Sequence, residues 1–155
     1  MSSTRSRRWL AVWLPFLPAD ALRRTILETT GERPARDECL VLVEKIKGAL
    51  RLAAVSPEAA AAGLTSGLTL ADARARLPHV KAVEHDPHVD RRMLERLAAA
   101  CERFSPVVAI DAPDGLILDI GGCENLFGGE AALRQALGRR IRRFGFHARA
   151  TLADS

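Results

Sequence analysis

Short apolar runs alternate with amphipathic segments along this chain, and the pattern predicts a mixed fold of strands and helices. The run Trp9–Leu14 ends at Pro15, which predicts a buried strand because proline cannot donate to a strand ladder. In Val107–Gly122, two apolar stretches flank a turn that contains aspartate, proline and glycine. This arrangement predicts a β-hairpin. A last strand is predicted over Phe146–Leu152.

Two long helices are predicted, at residues 86–104 and 130–144, because apolar residues recur there at helical spacing. Each helix has one apolar stripe, which we expect to be buried. The two stripes consist of Leu94, Leu97, Cys101 and Phe104 in the first helix and of Leu133, Leu137, Ile141 and Phe144 in the second.

With residues 18–79 set aside, the predicted order is strand, helix, two-stranded hairpin, helix, strand. This βαββαβ order is the ferredoxin-like α+β fold, with two helices on one face of a four-stranded sheet. Residues 18–79 then form a small lobe inserted after the first strand. The lobe is predicted to contain a hairpin over Cys39–Val43 and Ala49–Ala54, and helices that begin at Ser56 and Thr69.

The composition fits a globular protein, since the 155 residues are 48% hydrophobic and 27% charged. The three cysteines, Cys39, Cys101 and Cys123, are scattered without a zinc pattern, which favours a reducing cytoplasm. The apolar run Trp9–Leu17 is too short to span a membrane, and no signal peptide is expected. The net charge of +4 suits a nucleic-acid partner, but the same charge also follows from a general preference for arginine.

The inserted lobe resembles the fingers of Y-family DNA polymerases. The resemblance lies in the segment LRLAAVSPEAAAAGLTSGLTLADARARLPHV, and in particular in Gly63–Leu68 and Ala73–Pro78. It implies a ferredoxin-like palm formed by residues 1–17 and 80–155, and fingers formed by residues 18–79. It also implies that thumb and little-finger domains lie beyond Ser155.

A palm of this family holds two metal ions with carboxylates. The family's acid at the end of the first strand falls on Trp13, which cannot bind Mg²⁺. At the hairpin Asp111 is retained, but Ala112 stands where the family has glutamate. The resemblance therefore implies a palm without catalysis, metal or cofactor. The residues that the family uses at two further sites are also missing. Pro18 stands at the position of the sugar gate, and Pro57 and Ala60 stand at the positions that hold the triphosphate.

Within that family, these losses and the stretches VEKIKGALRLAAV and DGLILDIGGCENLFGGE resemble the ImuB-type branch. That branch implies a non-catalytic adaptor of a bacterial translesion-synthesis complex that is induced by DNA damage (the SOS response). The adaptor links an error-prone C-family polymerase (ImuC) and a RecA-like protein (ImuA) to the sliding clamp, mostly through regions beyond Ser155. The expected location is the cytoplasm, at the nucleoid.

Two other functions stay open. One is an active, divergent Y-family polymerase that uses Asp111, Asp114 and Asp119 as an alternative set of acids. The other is an unrelated ferredoxin-like binding domain, in which residues 18–79 would be part of a single core.

Several side chains have two interpretations at this point. We interpret Trp13 as a core residue that fills the lost metal site, with base stacking as the alternative. Asp111 and Asp114 are interpreted as turn residues, with weak metal binding as the alternative. The lobe's hairpin carries three basic residues, Lys45, Lys47 and Arg51. One interpretation is that they contact DNA phosphates, and the other is that they form a solvated face. The last helix carries arginines that we assign to a solvated or protein-binding surface, with nucleic-acid binding as the alternative, namely Arg134, Arg139, Arg140, Arg142 and Arg143.

Overall fold

A computed structural model describes residues 7–35 and 37–154, and the strands within these ranges form two sheets. The first sheet is antiparallel and contains β1 (Arg8–Trp13), β5 (Val107–Asp111), β6 (Gly115–Asp119) and β7 (Arg149–Asp154), in the order β5-β6-β1-β7. The second contains β2 (Leu40–Ile46), β3 (Ala49–Val55) and β4 (Lys81–Glu84), in the order β3-β2-β4.

The helices are α1 (Leu17–Thr30), α2 (Pro57–Ala61), α3 (Leu70–Arg76), α4 (Pro87–Cys101) and α5 (Glu130–Arg143), and a 3-10 turn covers Glu124–Phe127. Two of the predicted helix starts are confirmed by their caps. The Ser56 hydroxyl accepts a hydrogen bond from the Ala59 amide at 3.2 Å, and the Thr69 hydroxyl accepts one from the Asp72 amide at 3.1 Å.

The molecule divides into two compact units. Unit 1 contains the described residues up to Pro15 and those from Arg91 onward, and unit 2 runs from Phe16 to Asp90. The sheet of unit 1 has the strand order and antiparallel pairing of the ferredoxin-like βαββαβ fold, which confirms the predicted α+β class. Unit 2 has its own hydrophobic cluster around Val41, Leu52 and Leu64. In an unrelated ferredoxin-like binding domain, with residues 18–79 packed into a single core, this arrangement would not occur.

One boundary differs from the predicted domains. The sequence predicts residues 80–90 as part of the palm, whereas the structure groups them with unit 2. The reason is strand pairing, because β4 runs parallel to β2, from Leu40 opposite Lys81 to Val43 opposite Glu84. A four-residue strand carries no sequence signal that says which sheet it joins.

The sheet of unit 1 has two chemically distinct faces, as its pleat requires. We call the buried face, which carries Leu10, Val12, Leu116 and Leu118, the covered face. The predicted helical stripes are buried as well, except that Phe144 is half-buried. The opposite face, which we call the open face, carries Trp9, Ala11, Trp13, Val107, Ala109, Asp111, Gly115, Ile117, Asp119, Arg149 and Thr151.

Candidate functional site

The open face brings the predicted palm positions together at one end of the sheet. Strand register places Asp111 opposite Gly115, Gly115 opposite Trp13, and Trp13 opposite Arg149. These four residues form a row across β5, β6, β1 and β7, which we call the front row. Trp13 and Asp111 therefore lie on the same face, with one strand between them.

Trp13 is exposed in the front row, with 48% of its surface accessible to solvent. Its indole Nε1 donates a hydrogen bond to Asp114 Oδ2 at 3.2 Å, and the Arg149 guanidinium lies 5.6 Å from the ring centroid. The interpretation of Trp13 as a core residue is therefore wrong. The pleat is the reason, because the neighbouring Val12 points to the covered face and Trp13 must point the other way.

The three acids of the hairpin occupy different positions. Asp111 ends β5, and Asp114 lies in the turn, where its carbonyl accepts a hydrogen bond from the Leu14 amide at 2.9 Å. Asp119 ends β6 and is paired with Val107. It lies on the same face as Asp111 but four positions away along the hairpin, which is about 13 Å at the usual rise of a strand. Its carboxylate accepts a hydrogen bond from the Gly121 amide at 3.1 Å.

This geometry does not fit the two-metal site that the fold family implies. Two ions about 4 Å apart need carboxylates that converge on both. Asp119 is too far from Asp111, and Asp114 accepts a hydrogen bond from Trp13. Within residues 7–35 and 37–154, no group of three or more histidine, cysteine, aspartate or glutamate side chains is placed to hold a metal ion.

Two side chains that help to form this sheet end and its hairpin, Arg149 and Ser105, had not been predicted from the sequence. Arg149 stacks on Trp13, and its only sequence signal is an arginine within a predicted strand. Ser105 is buried, donates a hydrogen bond to the Asp119 carbonyl and accepts one from the Val107 amide at 3.1 Å. It ties together the end of the hairpin that lies far from the front row.

The basic residues of the unit 2 hairpin do not share one face. Lys45 is paired with Leu50, and Arg51 is paired with Glu44, so the two cations point to opposite sides of the hairpin. Lys47 lies in the turn with a φ of 50°. The Arg51 guanidinium donates a hydrogen bond to the Gly67 carbonyl at 2.9 Å. The structure thus separates the three residues that the sequence analysis grouped for DNA contact.

The two positions predicted for the lost triphosphate contacts flank an ion pair. Pro57 and Ala60 lie on either side of Glu58 in α2, and the Glu58 carboxylate is 3.0 Å from the Arg23 guanidinium. Burial raises the pKa of Glu58, but a backbone hydrogen bond at the start of the helix and Arg23 outweigh burial and lower it. A charged carboxylate therefore lies beside both positions. Pro18, at the gate position, lies in the first turn of α1.

Comparison with solved structures assigns the architecture to the Y-family polymerase fold. A post-insertion binary complex of Dbh DNA polymerase matches with a TM-score of 0.75 and 14% sequence identity, over 94% of this chain and 42% of that chain. DinB from Sulfolobus solfataricus matches with a TM-score of 0.70 and 13% identity, with the same coverage of both chains. At this identity the similarity concerns the fold alone.

Sequence comparison gives the family. Residues 24–155 match the model of the impB/mucB/samB (IMS) family, and the chain belongs to that family. Protein ImuB from Caulobacter vibrioides strain NA1000 / CB15N is 50% identical over 93 residues, which are 60% of this chain and 20% of that protein. ImuB from strain ATCC 19089 / CIP 103742 / CB 15 matches to the same extent. The matched part of the chain thus spans about a fifth of the length of these relatives.

The part of the chain that the structure describes contains no helix long and apolar enough to cross a membrane.

Proposed function

We propose that this chain is the polymerase-like part of a non-catalytic adaptor in bacterial translesion DNA synthesis. One observation carries the proposal. In the front row, an exposed Trp13 is hydrogen-bonded to Asp114 and stacked by Arg149, where the family resemblance implies a metal-binding acid. Arg149 brings a positive charge into this row, which opposes the binding of Mg²⁺ there.

The similarity to ImuB supports the same proposal from the sequence side. In this proposal, unit 1 is the palm and unit 2 is the fingers of an inactive polymerase. The whole protein then links an error-prone C-family polymerase (ImuC) and a RecA-like protein (ImuA) to the sliding clamp. It acts in the cytoplasm, at the nucleoid, after DNA damage.

Primer extension by the full-length protein tests the catalytic part of the proposal. With Mg²⁺ or Mn²⁺ and all four nucleotides, we expect no product. Trp13→Asp also yields none, because the acid it supplies still lacks the glutamate that Ala112 replaces. Product that disappears in Asp111→Ala would overturn the proposal and establish the alternative, an active polymerase that uses Asp111. The distance of about 13 Å between Asp111 and Asp119 argues against that alternative.

Binding measurements test the adaptor part separately. Surface plasmon resonance with immobilised full-length protein should detect the sliding clamp, the C-family polymerase and the RecA-like protein. Trp13→Ala should leave these interactions unchanged, since in this proposal the partners bind mostly outside the chain. Failure of all three partners to bind would refute the adaptor while leaving the absence of catalysis intact.

We further propose weak DNA contact at the open face, because Trp13 is exposed there beside a cation. Aromatic stacking contributes about 1–3 kcal/mol per base in single-strand binding. Trp13→Ala should therefore weaken the binding of an oligo-dT strand by several fold, and Trp13→Phe should retain most of the affinity. If the unchanged protein, Trp13→Ala and Trp13→Phe bound the oligo-dT strand with equal affinity, any DNA contact would lie elsewhere.

A further inference from the structure

A second candidate surface lies in the helical layer of unit 1, away from the open sheet face. The residues after α4, the 3-10 turn and α5 surround a cavity of about 220 Å³. Cofactor and drug-sized ligand sites usually occupy about 300–1,000 Å³, so this cavity suits one or two side chains of a partner better than a cofactor. We call it the arginine cleft, and the lining residues used below are Arg103, Phe104, Phe127, Arg139, Arg140 and Arg143.

The cleft concentrates positive charge, and one of its buried nitrogen atoms has no hydrogen-bond acceptor within the described structure. Four of its lining residues are arginines. The Nε atom of Arg140 is buried and has no hydrogen-bond partner within the described structure, while its guanidinium lies 5.5 Å from the centroid of the Phe144 ring. A buried donor without an acceptor is unfavourable. A carboxylate from outside can reach the exposed guanidinium groups of Arg139 and Arg143, and guanidinium groups bind carboxylates with paired hydrogen bonds.

The cleft also has an apolar component. The rings of Phe104 and Phe127 lie 5.1 Å apart between centroids and form part of its lining. Leu126 precedes Phe127 in the same 3-10 turn, and 82% of its surface is exposed. An exposed leucine in the turn that supplies Phe127, together with the arginines of the cleft, favours a partner segment with both acidic and apolar residues.

We propose that the arginine cleft is a docking site for an acidic segment of a partner protein that carries an apolar side chain. Nucleic acid fits this surface less well. Phe104 is only 4% exposed and therefore offers no free ring face on which a base could stack. An exposed Leu126 would gain nothing from contact with a charged phosphate backbone. The proposal does not depend on whether the chain catalyses DNA synthesis.

The test uses this chain and three fluorescent probes in anisotropy titrations at about 0.1 M salt. The first probe is a twelve-residue peptide of aspartate and glutamate around a central leucine–phenylalanine pair. The second replaces that pair with two serines, and the third is an oligo-dT strand. The key variant is Arg139→Glu with Arg143→Glu. Its matched control is Arg134→Glu with Arg142→Glu, which changes the net charge equally on the same helix but outside the arginine cleft.

We expect the first peptide to bind, and the second to bind several fold more weakly. The key variant should lose at least about tenfold in affinity for the first peptide, and the matched control about threefold or less. Leu126→Ser should lower the affinity for the first peptide and leave the affinity for the second unchanged. All four reversed arginines are exposed, so the variants should fold, and circular dichroism checks this.

Three results would overturn the proposal. Equal losses in the key variant and the matched control would mean that net charge alone attracts the peptide. No binding of the acidic peptides up to millimolar concentration would mean that the cleft is not a docking site for them. If the oligo-dT strand bound through Arg139 and Arg143 while the peptides did not, the surface would be a nucleic-acid site.

Discussion

The two faces of the unit 1 sheet are built by alternate residues of the same strands, yet one face is buried in the core and the other is largely exposed to solvent. On the covered face, Leu10 and Leu118 have no solvent-exposed surface and follow the apolar alternation of the sequence. On the open face, Trp13 and Val107 are about half exposed, and acids, alanines and an arginine lie beside them. Packing dictates the residues of the first face, whereas we expect most exposed side chains of the second to contribute less to stability.

Under the proposed function, this difference explains how a polymerase-like fold persists with altered chemistry. In that proposal, tryptophan and arginine replace a metal-binding row on the open face without disturbing the core beneath it. The five predictions below test this separation between the two faces, in order of the expected effect.

Leu118→Ala and Ile117→Ala compare adjacent residues of β6 that point to opposite faces. Truncation of a fully buried leucine removes apolar burial and leaves a cavity, so the free energy of unfolding should fall by about 2–5 kcal/mol. Ile117 is half-buried on the open face, and its truncation should cost less than about 1.5 kcal/mol. Urea denaturation followed by circular dichroism measures both. Equal losses would show that the open face is packed as well as the covered one.

Cys101 reports on the covered side through its thiol. Burial raises the pKa of Cys101 to about 11, although Arg140 opposes the rise. An unperturbed thiol has a pKa of about 8.5, so at pH 8 the native thiolate fraction should be lower by about a hundredfold or more. Alkylation by iodoacetamide, located by mass spectrometry, should label Cys39 and Cys123 well before Cys101.

The same shift predicts a loss of stability in alkali. Between about pH 8.5 and 11 the unfolded chain releases the Cys101 proton while the native state keeps it. The contribution of this thiol to the free energy of unfolding is therefore fully present below pH 8.5 and falls as the pH rises. Cys101→Ala should lessen this part of the decline, and rapid native labelling of Cys101 at pH 8 would contradict both predictions.

Gly115→Ala tests how closely the strands approach in the front row. A Cβ atom at Gly115 would lie 3.0 Å from the Asp111 carbonyl oxygen and 3.2 Å from that of Val12, and neither backbone atom can move easily. We expect a loss of about 1–3 kcal/mol. Gly138→Ala in α5 is the control. Its Cβ would approach only the flexible Arg142 side chain, so it should stabilise the helix by about 0.5–1 kcal/mol. Thermal or urea unfolding should therefore show opposite signs, and the same sign for both would contradict the argument.

Trp13→Phe should have the smallest effect. It removes the hydrogen bond to Asp114 and weakens the contact with Arg149, but both lie at an exposed site. We expect the free energy of unfolding to fall by less than about 1 kcal/mol. A loss as large as that of Leu118→Ala would mean that Trp13 is part of the core after all.

Local sequence patterns were sufficient for most of the fold. The stripe from Leu94 to Phe104, the caps at Ser56 and Thr69, and the hairpin around Asp111 each depend on a few neighbouring residues, and each was predicted. The ferredoxin-like order followed from the sequence of these elements. The sheet to which β4 belongs did not, because strand pairing joins residues about 40 positions apart.

The candidate site depended more on tertiary structure. The sequence by itself predicts Trp13, Asp111 and Ala112 as the altered palm positions, because motif spacing along a strand is local information. Only the register of four strands decided that Trp13 points outward, that Arg149 stacks on it and that Asp119 lies at the far end of the hairpin. The arginine cleft likewise joins three segments distant in the chain, and their convergence is a property of packing rather than of any local pattern.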